Sequence, residues 1–180
     1  MAKIEAGKKF YHRSKERIRS LKPTRMWFSE SPRWIREDTN GYGRYLHTYV
    51  SSVPLEIFDP VDDGRDYDRL MGLLSDRDDD LRGWIEYNME EYYFPSGAYS
   101  EIGTERLSDY DGYREGEDGY YSNYCLFDPT GKLKLEDVFD TESEEGEARL
   151  DDMCDSDVPD VVDSFMDWFD QYDSGEDDDE

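Results

Sequence analysis

The chain has 180 residues, with 47 Asp and Glu against 21 Lys and Arg, for a net charge of -26. That length fits one domain with a tail or lid. It has no apolar span of bilayer length, no apolar segment of secretory type after Met1, and too few cysteines, Cys125 and Cys154, for a disulfide framework. A reducing, cytoplasmic setting without membrane contact is therefore expected. Aromatic residues make up 15% of the chain, enough for a core, which excludes simple disorder.

Residues 1–10 read as a frayed, basic start. Phe10-Tyr11-His12 can open a strand, and 14–21 reads as a loop or single helical turn. Met26-Trp27-Phe28 is a compact apolar run of strand type. Ser31-Pro32 supplies a cap and a first-turn proline for a short helix to about Glu37, and Asn40 to Gly43 is a turn. Tyr45 to Val50 and Leu55 to Phe58 read as consecutive strands. Tyr67, Leu70, Met71 and Leu74 then recur at helical spacing over Asp66 to Ser75. Asp76 to Asp80 is a charged turn, and Trp84-Ile85 reads as another short strand. Residues 95–119 show no period and suggest a long surface loop. Tyr121 to Phe127 and Lys132 to Leu135 form a hairpin around the turn Asp128-Pro129-Thr130-Gly131. An acidic linker occupies 139–157. Asp157 caps a helix over 158–173, with Val158, Val161, Val162, Phe165, Phe169 and Tyr172 on one face, and 174–180 is an acidic end. No internal repeat is evident.

The charge is segregated. Residues 1–50 hold 12 bases against 5 acids, whereas residues 136–180 hold one base, Arg149, against 21 acids. Such a chain can fold its acidic end onto its basic end or offer the two to different partners. Asp is abundant and Arg outnumbers Lys 14 to 7, which suits a halophilic cytoplasm; the basic first segment does not. The net charge argues against direct nucleic-acid binding. His12 and His47 have no ligand spacing with either cysteine, and the Asp78–Asp80 and Asp177–Asp179 runs lack a calcium-loop pattern, so no metal site is expected. No phosphate-cradling glycine loop or local nucleophile triad is present either.

Read from the residues alone, His12 is a structural histidine, and Trp27 and Phe28 are core aromatics. In order, however, Tyr11-His12-Arg13-Ser14, Trp27-Phe28-Ser29-Glu30-Ser31-Pro32, the strands 45–50 and 54–59, Gly83-Trp84-Ile85 and Asn123-Tyr124-Cys125-Leu126-Phe127-Asp128-Pro129 follow a known pattern. Over roughly residues 10–138 this resembles the ADP-ribosyltransferase-like fold, especially small divergent viral and phage members. The resemblance implies an α+β protein with a split two-sheet core over residues 1–138. It also implies NAD as cofactor and transfer of ADP-ribose to a protein or nucleic-acid acceptor, in a host cytoplasm or virion.

Carried over by position, the cofactor would meet Tyr11, His12, Arg13, Ser14, Trp27 and Phe28. His12 would hydrogen-bond the adenosine-side ribose and Ser14 would help fix the nicotinamide ribose. The backbone near Arg13 would meet the nicotinamide amide, with Trp27 in the place of the usual stacking Tyr. Arg13 replaces a glycine of the family, crowding that approach. Asn123 stands where active members carry the catalytic Glu that contacts the ribose 2′-hydroxyl as positive charge builds on the sugar. The missing carboxylate implies a rate loss of about 10²–10³ unless Glu115, Glu117 or Asp118 reaches in. Catalysis would thus rest on His12, Trp27 and Asn123. One alternative is a non-catalytic interaction protein on the same scaffold, contacting a protein partner through the Tyr-rich segment 92–121 or the acidic C-terminal helix. The other is an acidic regulator that mimics nucleic acid.

Overall fold

The structure, a computed structural model, describes residues 2–32, 43–74, 79–90, 104–115 and 123–156. The described strands are β1 (Ala2–Ile4), β2 (Lys9–Ser14), β3 (Met26–Ser29), β4 (Tyr45–Ser51), β5 (Leu55–Phe58), β6 (Gly112–Glu115), β7 (Asn123–Leu126) and β8 (Leu133–Asp140). The helices are α1 (Gly64–Leu74), α2 (Asp79–Glu90) and α3 (Glu144–Asp155), with a 3-10 turn at Thr104–Leu107. The protein is α+β.

Alternation of apolar side chains makes the strands and sets what each face buries. One face carries Phe10, Phe28, Tyr49, Leu55, Ile57, Tyr124, Leu126 and Leu133 into a shared core. The other carries Phe58, Tyr113 and Cys125 against Leu70 and Leu74 of α1 and Ile85 of α2, and Leu46 and Phe139 against Leu150 and Cys154 of α3. The first is the inner face and the second the outer, helix-covered face.

The strands form a single sheet in the order β1-β5-β6-β7-β3-β2-β4-β8. Between β5 and β6 the pairing is parallel; the other described pairs are antiparallel. The expected split into two sheets is therefore replaced by one sheet with a narrow waist. The waist lies between β2 and β3, where a single register pair, Tyr11 with Ser29, joins five strands to three. Around it the sheet curls over its inner face. Lys132, at the β8 edge, thereby reaches Asp111 next to β6 with an N–O distance of 2.8 Å.

Strands β2, β3, β4, β5 and β7 and helix α1 lie where the periodicity puts them, and several other elements differ. The presumed frayed start contains β1, which pairs with β5. Trp84 and Ile85 belong to helix α2 rather than a strand, Ile85 being its buried contact. The presumed loop 95–119 contains β6.

The turn forms one residue later than expected, with Lys132 N–H and Leu133 N–H both donating to the Pro129 carbonyl. Its flanking strands nevertheless part: β7 joins β6 and β3, while β8 joins β4. Likewise β4 and β5 are consecutive but not neighbours. The presumed linker 139–157 contains the end of β8 and all of α3. Ser143 caps α3 by accepting from Gly146 N–H. A Cβ on Gly146 would fall 1.8 Å from the Asp140 carbonyl oxygen, so glycine permits that close approach. Most of the helix predicted after Ser31, and all of 158–180, lie outside the described residues.

Candidate functional site

The waist brings two histidines together. His12 and His47 are register partners on β2 and β4, with ring centroids 6.3 Å apart. As β3 diverges from β2, the His12 ring takes up the Trp27 carbonyl that the ladder leaves behind, with Nδ1 to O at 2.7 Å. That contact places a proton on Nδ1. The His12 ring also packs against Phe28, centroids 5.8 Å apart. His47, completely buried, stacks on Tyr49. Its Nε2 accepts from Ile18 N–H at 2.9 Å, so its proton is on Nδ1, which has no hydrogen-bond partner among the described residues. Burial holds both imidazoles below their usual pKa.

The register separates the proposed catalytic trio. Tyr11 pairs with Ser29, so His12 shares the inner face with Phe28, and Trp27 projects from the outer face. There the Trp27 ring meets Tyr113 edge-on at 5.4 Å and is 39% exposed. Asn123 pairs with Ser29 and with Glu115, which puts it and Glu115 on Trp27's face. The structure thus brings Trp27 and Asn123 to one face and leaves His12 on the other. Glu115, one of the three acids named as substitutes for the missing catalytic carboxylate, stands directly across the ladder from Asn123; Glu117 and Asp118 lie outside the described residues.

The other cofactor-binding candidates are engaged in the fold. Phe28 is buried in the inner core. Tyr11 packs against the cluster under α3. Arg13 donates to Thr141 Oγ1 at 2.9 Å, with its Nε buried and without a partner among the described residues. Ser14 donates to the Glu16 carbonyl. Cys125 is no nucleophile: burial pushes its thiol up to about 11. Among the described residues no group of three or more His, Cys, Asp or Glu side chains could hold a metal ion.

A feature visible in the sequence only as excess charge acquires a place. The connector 15–25 leaves β2 and runs over the inner-face side, where Leu21 packs against the core. Lys15, Arg17, Arg19, Lys22 and Arg25 along it are exposed, and none makes a salt bridge among the described residues. Elsewhere cations are mostly paired, as in Lys8–Glu30, Lys9–Glu136, Arg69–Asp109 and Arg149–Asp137. Arg17 instead lies over the Tyr45 ring, 5.2 Å from its centroid. In so acidic a chain, five exposed cations with no salt bridge among the described residues offer a site to a negative partner.

Comparison with family models, curated proteins and solved structures found no match to this chain.

Proposed function

We propose that this is a non-catalytic interaction protein, built on a curled α+β sheet and engaging an acidic protein partner through the connector 15–25. The observation that carries this reading is the placement of the imidazole of His12 across the sheet from Trp27 and Asn123. A dinucleotide held by one cleft needs such groups to converge. His12 also already has a backbone carbonyl on Nδ1, and a carboxamide at 123 carries no charge to stabilise a ribosyl cation. The exposed cations of the connector, without a salt bridge among the described residues, supply the positive half of the proposal, a surface complementary to a partner's carboxylates.

The NAD-dependent reading keeps one supporting observation: Glu115 lies beside Asn123 on the face that exposes Trp27. One experiment separates the two readings. Calorimetric and thermal titration with about 1 mM NAD is expected to give neither heat nor stabilisation, in the native chain and in Asn123→Glu alike. Saturable NAD binding that weakens on Trp27→Ala and Glu115→Gln would restore the transferase reading.

A further inference from the structure

One hydrogen bond ties the middle of the cationic connector to the sheet. Ile18 N–H donates to His47 Nε2 at 2.9 Å, across 29 positions of sequence. Among the described residues it is the only long-range hydrogen bond to the backbone of 15–25. The other holds are side-chain contacts: Ser14 on the Glu16 carbonyl, Arg17 over the Tyr45 ring, and Leu21 against the inner core. Between them, Ile18 to Leu21 roof an open hollow above Tyr49, Leu133 and Leu135. The middle of the connector therefore hangs on a nitrogen lone pair.

That lone pair exists in only one charge state. A neutral imidazole offers one acceptor nitrogen; an imidazolium offers none, and its added Nε2–H would point at the Ile18 N–H. His47 is fully buried, and the groups facing it do not steady a positive charge. His12 stands beside it on β2, and β3 brings the apolar Phe28 to this face. Tyr45 and Tyr49 flank it on β4, and Arg17, of like charge, acts on it from the connector. On β8 its partner is Val138, and Asp140, two residues on, is bound to Arg44.

We propose that His47 is a proton-operated latch for the connector. Neutral, it holds Ile18 and the cations beside it in one arrangement. Protonated, it lets residues 15–20 come away from the sheet while Leu21 and the strands stay in place. The sign follows from burial. With the latch closed, burial holds the ring below its usual pKa. Released, the ring meets water and charges near the ordinary value of about 6.5. Each pH unit below that favours release by up to about tenfold, until the closed-state value is reached. The latch does not depend on whether the connector meets a protein partner.

The test is residue-resolved amide hydrogen exchange on the full chain, corrected for the intrinsic pH dependence of exchange. From about pH 7 to about pH 5, protection of the Ile18 amide should fall about tenfold or more, while amides in β5 and β7 keep theirs. His47→Gln, whose carboxamide oxygen accepts but does not titrate, should keep the protection and lose its pH dependence. His47→Phe, with no acceptor, should lack the protection throughout. His12→Gln should retain the pH response, since His12 bonds the Trp27 carbonyl instead. Constant Ile18 protection in the native chain, or a fall shared with the β5 and β7 amides, would overturn the latch. So would a native-like pH response in His47→Gln, full protection in His47→Phe, or loss of the response in His12→Gln.

Discussion

Two buried polar clusters hold opposite flanks of this sheet, and they are built differently. Where β5 runs into α1, Asp59 and Asp66 are nearly inaccessible, yet all four carboxylate oxygens accept a hydrogen bond. Asp66 takes Asp59 N–H and the Tyr110 hydroxyl. Asp59 takes Asp62 N–H and the Arg114 guanidinium, the latter at 3.0 Å. At the waist, His47 is fully buried and His12 half-buried among aromatics, but the Nδ1 of His47 and the Nε of nearby Arg13 find no partner among the described residues. A fully satisfied network in a low-dielectric interior specifies one arrangement; a half-satisfied one leaves its groups sensitive to protonation. The first cluster therefore behaves as scaffold, and the second is the responsive part of the fold.

The largest expected effect tests the scaffold. Arg114→Met leaves the Asp59 carboxylate buried without its cation and should cost about 3–5 kcal/mol in chemical denaturation. A loss below about 1 kcal/mol would mean that the network relaxes and is no more specified than the waist.

The next effect tests responsiveness. Both histidines have folded-state pKa values below the ordinary 6.5, so the unfolded chain binds protons first as pH falls. Stability should be complete above about pH 6.5 and decline below it. The decline should approach ~1.4 kcal/mol per pH unit for buried His47, with a smaller share from part-exposed His12, whose charge solvent screens. Asp109 and Asp140, held below the usual carboxylate range by Arg69 and Arg44 respectively, add their loss only in a more acidic window. His47→Phe should flatten the slope near pH 6. A slope unchanged by that substitution would place the sensitivity elsewhere and dissolve the contrast.

The smallest effect returns to the scaffold. Tyr110→Phe removes a single hydroxyl from Asp66 and should cost about 1–2 kcal/mol, read as a shift in denaturation midpoint at constant slope. A neutral result would show that water replaces the hydroxyl.

How much of this was legible in the residues follows the range of the forces involved. Strands β2, β3 and β4 and helix α1 announce themselves through local period. The partners of those strands do not. A turn forms after Pro129, one residue beyond the expected place, yet its strands separate because β8 finds β4, some ninety residues upstream, instead of β7. Trp84-Ile85 favours strand by composition, and only the packing of Ile85 under α1 and β6 selects helix. Helix α3 was hidden because it buries one residue per turn, Gly146, Leu150 and Cys154, among acids.

The arrangement of the candidate site residues was hidden for a related reason. His12, Trp27 and Asn123 lie on adjacent strands as the resemblance implies, but which face each side chain takes depends on register, and a slip of one residue reverses it. No local signal fixed the pairing of Tyr11 with Ser29. The cationic connector was visible as charge, whereas its exposure beside the inner-face core required the fold.

The long reach of β8 also bears on how the molecule is made. Tyr45 pairs with Asp140 and Ser51 with Leu133, so β4 must wait, half-unladdered, until residues far downstream leave the ribosome. Nascent chains of this topology fold late and slowly, since distant ends must meet before their ladder rewards them. Until then one edge of β4, and the inner side that carries Tyr45, His47 and Tyr49, stand open.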